Sequence, residues 1–355
     1  MAPLTERRAN ILKLIVDGYV STGTPVPSMV LAREASLGVS PATIRNDMVA
    51  LEQEGYITRP HTSAGGVPSD KGYRYFIEDL QREGPQHSSL SPEDIAAMQA
   101  ALERSRRDIE EWTERAVSIL AGLLRTLSFV SAPRAAHSRV KQIELLLLQD
   151  FTAMLVVILQ ETSILKQVIN LDKPLTQDEL LQVRNRVAEW LDGKTAPEIM
   201  SSAPHFNASP DEAVASLEST VVSATVDALQ QRDALRSADY SMEGLGRLLG
   251  QPEFAEAGIG AALADSLENR QTLAELSRSV PEDGSLTVLI GGENPREEFQ
   301  RCSIVMARYG LPEEGAGVIG LIGPTRMSYR RALPVVDMAS SLLTSLIADL
   351  FPARN

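Results

Sequence analysis

LGVSPATIRNDMVALEQEGYITRPHTSAGGVP, running from Leu37 to Pro68, is the stretch whose reading decides the fold of the N-terminal part of this chain. Ser40 is a good N-cap, and Pro41 suits the first helical position, where a missing N–H costs nothing. A helix is therefore predicted to start here and run to about Gln53. Ile44, Met48 and Leu51 fall at helical spacing, a stripe for packing on neighbouring helices that leaves Ala42, Thr43, Arg45, Asn46 and Val49 on or near the outer side. Gly55 stops the helix, Tyr56 to Arg59 reads as a short strand, and Pro60 to Pro68 is rich in turn formers, with Gly65 and Gly66 at its tip. Helix, strand, glycine turn and returning segment make a winged helix-turn-helix. Short side chains at the start of such a helix let its backbone approach a major groove, where Arg bonds guanine and Asn bonds adenine. An amphipathic helix of an ordinary bundle shows a similar polar face; the wing and the preceding helices are what favour double-stranded DNA as the partner.

Working outward, Leu4 to about Ser21 is predicted as a first helix, capped by Thr5, with Ile11, Leu12, Ile15, Val16 and Tyr19 as its apolar face. Thr22 to Pro27 is a turn, Ser28 to about Ala35 a second helix, and Leu37 and Gly38 the tight connection to the third. Ser69 to about Arg82 forms one more helix, whose Tyr73, Phe76, Ile77 and Leu80 read as core or interdomain packing rather than base-stacking residues. The candidate DNA-contacting residues are Ser40, Pro41, Ala42, Thr43, Arg45 and Asn46 on the reading helix and Arg59, His61, Thr62 and Ser63 on the wing. Lys71 and Arg74 follow the wing, and each is as well placed for packing as for the DNA backbone.

A formal charge of -13 stands against a nucleic-acid binder at first sight. Residues 1–80 hold 8 basic and 9 acidic side chains, so -12 of that charge belongs to the rest of the chain. Between residues 56 and 76 the balance is locally positive, with Arg59, Lys71 and Arg74 against Asp70. Weak non-specific affinity and dependence on base contacts, salt and dimerisation are expected. At 355 residues, 43% hydrophobic, the chain is long enough for two or three domains. It has no apolar run of 18 residues, no continuous apolar core near its start, and one cysteine, Cys302, which excludes an intrachain disulfide. A cytoplasmic protein with no membrane partner is the simple reading, with Cys302 as a small buried hydrophobe.

Beyond the winged helix, Gly84 to Ser91 is a linker by composition, and about Pro92 to Leu127 reads as a long helix that suits either a partner subunit or its own domain. Ile143 to Leu148, Met154 to Leu159 and Ile164 to Ile169 read as an antiparallel meander. Strands return at Leu286 to Ile290, Ser303 to Tyr309 and Gly317 to Ile322, after a largely helical gap over Thr176–Leu191, Pro210–Leu235 and Gly260–Leu276. Arg330 to Phe351 closes the chain as a helix. A sheet split by about a hundred helical residues suggests an insertion into an α+β domain.

VSPATIRNDM, LEQEGYITRPHTSAGG and VPSDKGYRYF in the first 76 residues, then GRLLGQPEF at Gly246–Phe254, IGGEN at Ile290–Asn294 and GVIGLIGPTRMSY at Gly317–Tyr329, resemble in order the signatures of the heat-inducible transcription repressor family, HrcA. Pro27-Ser28-Met29 stands where the family usually has Gly-Ser-Arg, and Gly66 where it has Arg. The resemblance implies a multidomain α+β chain with a winged-helix domain at 1–82, a linker at 83–91, a GAF-like antiparallel sheet domain over 92–172 and 280–355, and an inserted helical dimerisation domain at 173–279. It further implies a homodimer bound to an inverted-repeat operator, the CIRCE element, which represses chaperone and chaperonin operons, with the GroE chaperonin keeping the repressor in its active fold.

Catalysis finds no support. His61, His87, His137 and His205 lie in turns or linkers without ligand spacing, and no phosphate-loop, zinc-protease or nucleophile-elbow pattern occurs, so no cofactor or metal is expected and the chain is read as no enzyme. Gly291 to Asn294 suits an anion nest or a plain strand-to-helix turn, and Gly320 to Tyr329, with Arg326, suits a ligand pocket or a tie between the sheet and the last helix. The alternative function is thus a winged-helix regulator whose GAF-like domain senses a small ligand.

Overall fold

The computed structural model describes residues 4–34, 39–61, 64–83, 91–103, 109–133, 137–160, 163–202, 212–235, 240–256, 258–311 and 315–350. The chain divides into two compact units, one made of Met1–Arg134, Ala238–Leu311 and Ala316–Asn355, the other of Ala135–Ser237 with Pro312–Gly315.

The first unit opens with α1 (Glu6–Thr22), α2 (Ser28–Glu34) and α3 (Pro41–Gln53), then β1 (Ile57–Thr58), β2 (Val67–Pro68) and α4 (Asp70–Glu83). The α3 start is as the sequence dictates, with the Ser40 hydroxyl accepting from Thr43 N at 3.2 Å and Pro41 in the first turn. Gly55, at φ 78°, takes the left-handed conformation that ends the helix. β1 and β2 pair antiparallel, Ile57 opposite Pro68, and Val26 adds a bridge to Gly66. Ile11, Leu12, Ile15, Leu31, Ile44, Met48, Leu51 and Phe76 close the core, each buried side chain contributing about 1.5–3 kcal/mol.

The chain continues through α5 (Pro92–Glu103), α6 (Ile109–Leu124) and β3 (Leu127–Ser131) into the second unit: β4 (Val140–Gln149), β5 (Thr152–Leu159), β6 (Ile164–Asn170), α7 (Gln177–Leu191), α8 (Ala196–Ser201) and α9 (Glu212–Leu235). It returns through β7 (Tyr240–Glu243), α10 (Leu245–Leu249), α11 (Ile259–Glu268), α12 (Arg270–Arg278), β8 (Thr287–Ile290), β9 (Cys302–Leu311), β10 (Gly315–Pro324) and α13 (Tyr329–Leu350). In the first unit the sheet order is β7-β3-β10-β9-β8, with β3 antiparallel to β7 and β10, and β8 to β9. Alternate residues fill two layers. Val130, Val305, Tyr309 and Leu321 pack toward α6 and α13, whereas Phe129, Ile304, Met306 and Ile322 pack toward α11 and α12. This antiparallel sheet between helices is consistent with a GAF-like domain. The helix Tyr329–Asp349 is long and apolar enough to cross a membrane by composition, but half of it is buried in this layer.

In the second unit, β4, β5 and β6 form a separate antiparallel meander whose inner face, Ile143, Leu145, Leu155, Val157 and Ile169, is covered by α7 and α9 through Leu180, Val183, Val187 and Val221. Thr176 and Glu179 cap α7 reciprocally.

Several sequence expectations need correction. The meander does not belong to the main sheet, so the inserted unit begins near residue 135 rather than 173, ends near 237 rather than 279, and contains strands as well as helices. Residues 238–279 instead supply β7 and the helices on the main sheet's second face. Leu127 begins a strand instead of ending the long helix, because Arg125, at φ 54°, turns the chain left-handed after Leu124. Gly260–Leu276 is two helices, the second capped by the Asn269 side chain, which accepts from Gln271 N at 3.0 Å. Most of the expected linker, residues 84–90, lies outside the described residues.

Candidate nucleic-acid interface

Pro41, Ala42, Arg45 and Asn46 are exposed on the outer face of α3, and Thr43 is half-buried. Ala42 lies one turn before Arg45 and Asn46, so a small residue leads onto two long polar ones along one face. Arg45 and Asn46 make no side-chain hydrogen bond to any described residue, leaving a bidentate donor and an amide that both donates and accepts. The Ser40 and Thr43 hydroxyls are 3.0 Å apart at the helix start, where oriented backbone N–H groups favour an anion.

The opposite side of α3 carries a feature that sequence reading missed. Asp47 is buried beside Ile44 and Met48 and is gripped by Arg7 at 2.7 and 3.2 Å and by Arg8 at 3.4 Å, while Arg8 also meets Glu54 at 2.9 Å. Arg7 above all, with Arg8, holds the Asp47 carboxyl below the ordinary carboxylate value against the opposing effect of burial. A carboxylate within an apolar stripe was the available signal, since it demands a cation partner; nothing local says which.

On the wing, His61 is exposed and its carbonyl accepts from Ala64 N at 2.8 Å; Thr62 and Ser63 lie outside the described residues. A Cβ on Gly65 would overlap the Val26 backbone, and one on Gly66 would meet Ile57, Met48 and Ile15 side chains at 3.2–3.4 Å. Position 66 therefore points into the core of the winged head. Arg59 donates to Glu52 at 2.8 Å, and Lys71 donates to the Glu54 carbonyl at 2.6 Å while lying 4.3 Å from the Tyr56 ring centre. Arg74 is directed toward the main sheet, bonded to Glu293 and, at 2.7 Å, to the Val288 carbonyl. The structure thus exposes Ser40, Pro41, Ala42, Arg45 and Asn46 at the start of one helix, places Arg59 and Lys71 at the base of the wing in contacts of their own, and separates Arg74 from them.

A model of a DeoR-like helix-turn-helix domain matches residues 32–71, covering α3 and the wing. A model of the HrcA protein C terminal domain matches residues 110–333. The heat-inducible transcription repressor HrcA of Roseiflexus castenholzii is 35% identical over 348 residues, 98% of this chain and 96% of that protein. The HrcA of Herpetosiphon aurantiacus is also 35% identical, over 352 residues, 99% of this chain and 98% of that protein. The chain belongs to the HrcA family. These HrcA relatives are transcription repressors, not enzymes. A solved crystal structure of a hypothetical protein, 22% identical and covering 98% of this chain and 99% of its own, shares the fold with a TM-score of 0.60.

HrcA signature segments outside α3 are engaged in packing. Arg326 pairs with Glu253 and reaches Gln251 at 3.2 Å, which joins GRLLGQPEF to GPTRMSY. Buried Asn294 donates to the carbonyls of Gly291, Phe299 and Cys302 at 2.9–3.1 Å, fixing the IGGEN turn. Cys302 is fully buried, which pushes its thiol up to about 12.

Proposed function

We propose that this HrcA-family chain represses heat-shock operons by binding, as a homodimer, an inverted-repeat CIRCE-type operator. The single observation that carries the reading is the exposed Arg45–Asn46 pair, without side-chain partners among the described residues, on a capped helix of a winged head. Arg45 suits guanine O6/N7 and Asn46 suits adenine N6/N7 in the major groove. Ser40, Pro41, Ala42 and Thr43 bring the helix start to phosphate, and His61, Thr62 and Ser63 supply the wing contacts. Arg59 and Lys71 border that surface, each already bonded within the head.

The second unit supports the dimer. The outer face of its meander is apolar, with Leu146 opposite Met154 opposite Val168, and Ile158 opposite Ile164. Ile164 and Val168 are more than half exposed. The row between them carries Glu144 and Lys166 on the two edge strands, so a two-fold axis along the strands brings the other copy's Lys166 toward Glu144, which within its own chain meets Arg184 at 3.4 Å and accepts from Gln142 at 2.7 Å. A two-fold protein then matches a two-fold operator.

By family resemblance the GroE chaperonin holds the repressor in its active fold in the cytoplasm, and its diversion to unfolded clients lifts repression. A shift of a few kcal/mol between active and inactive populations suffices for that response.

Fluorescence-anisotropy titration against a CIRCE-type repeat and a scrambled duplex, at physiological salt with and without chaperonin, tests the reading. Tight binding to the repeat alone, with an active fraction raised by chaperonin, is the expected result. Equal or absent binding by a folded dimer would favour a ligand-sensing regulator instead.

A further inference from the structure

Three segments outside α3, DKGYRYF, IGGEN and GPTRMSY with the following Arg330, meet between the winged head and the main sheet. Asp70 accepts from Gly292 N at 2.8 Å, and Gly291, at φ 49°, leaves space that any Cβ would take from the Asp70 carboxylate. Four residues along α4, Arg74 grips Glu293 with two guanidinium nitrogens, one at 2.9 Å, and donates to Val288 O; the Glu293 carboxylate is itself fixed by Ile290 N at 3.0 Å. On the other flank, Arg330 makes two 3.0 Å bonds to Asp17 of α1 and lies 5.1 Å from the Phe76 ring centre. Between the two polar links the Tyr73 and Tyr329 rings pack with centres 5.6 Å apart. The apolar core of the head runs without a break into the layer between the sheet and α13.

We propose that Arg74–Glu293, Asp70–Gly292 and Asp17–Arg330 form a positioning latch that fixes the orientation of the reading head on the sheet domain, and that Arg74 serves this latch rather than touching phosphate. The consequence for operator choice rests on the dimeric repressor reading. A head held in one orientation presents the second recognition helix to its half-site at high effective concentration, whereas a loosely tethered head binds one half-site equally well but gains less from the second. The latch leaves the outer face of α3 uncovered, as a positioning device requires.

The test compares the full-length protein with Arg74→Ala, Glu293→Ala, the double variant and Arg330→Ala. Affinities are measured for a single half-site duplex and for the full repeat across a salt series, together with spin-label distance distributions between Gln53→Cys in the head and Asp265→Cys on the sheet domain. The expected result is unchanged half-site binding, loss of about tenfold or more on the full repeat, and a double variant no worse than either single one. The salt slope stays constant, and the head-to-sheet distance distribution is broadened in every latch variant. A narrow distribution in Arg74→Ala and Glu293→Ala overturns the latch. So does a Arg74→Ala defect shared equally by half-site and repeat, with the salt slope reduced by about one and Glu293→Ala silent, the signature of a phosphate contact. Were the unaltered protein to bind half-site and repeat alike, the dimeric reading would fail while the distance distributions still decide the latch.

Discussion

Arg45 and Asn46 are exposed, adjacent and free of side-chain partners among the described residues, so replacing them costs the fold little, and on the operator-binding proposal the loss falls on DNA binding. Each change to Ala is expected to weaken cognate operator binding by about 1–3 kcal/mol and to relax base preference at one position, with dimerisation and thermal stability unchanged. Equal loss on random DNA, measured in the same titration, would make them phosphate contacts. Asp47 behaves in the opposite way. Its folded carboxyl lies below the ordinary value because of Arg7 first and Arg8 after it, so the unfolded chain binds that proton more readily. The stabilisation is complete at neutral pH and is lost as pH falls through the ordinary carboxylate range toward the depressed folded value. Asp47→Asn should therefore lower the melting temperature at pH 7 and leave it nearly unaltered below the folded value, a difference that calorimetry at the two pH values reads directly.

Among the elements, α3 and the meander are built by opposite logics. In α3 the cap, the proline and the apolar spacing agree, so sequence alone places its boundaries, and its exposed face is polar. In the meander the inner face is covered by α7 and α9, yet the outer face also exposes Leu146, Ile164 and Val168 around the charged pair Glu144 and Lys166, an arrangement that asks for a partner surface. On the dimer proposed above, Val168→Glu, on the exposed side of edge strand β6, should change the stability of the second unit by less than about 0.5 kcal/mol while dissociating the two copies. Sedimentation velocity checks this: a Val168→Glu protein that remains dimeric at micromolar concentration would remove this face from the interface.

At the scale of the whole molecule, the two units hold separate hydrophobic cores, one for the meander with α7 to α9 and two that share the main sheet. Separate cores need not unfold together. Leu180→Ala, in the second unit, should cost about 2–5 kcal/mol there, read as lost amide protection in β4 to β6, α7 and α9, with the amides of α1 and α3 unaffected. Uniform loss of protection through both units would show one cooperative unit instead.

The sequence by itself determined the winged head, because each of its signals is local: the Ser40 cap, the stripe of Ile44, Met48 and Leu51, the stop at Gly55 and the turn formers of the wing lie within a few residues of what they specify. It also placed Ala42, Arg45 and Asn46 on the exposed side of α3, since helical period assigns faces without knowledge of neighbours, but it missed the buried Asp47. Tertiary structure alone decided which sheet each strand joins, because Ile143–Ile169 and Leu286–Ile322 look alike as apolar β runs and the short strands Leu127–Ser131 and Tyr240–Glu243 carry too few residues to show a period. It decided likewise that Asp47 finds its cations 39 and 40 residues away and that Arg74 finds Glu293 219 residues away. A charge in the sequence announces that a partner is required; only the folded chain brings a particular one within hydrogen-bond reach.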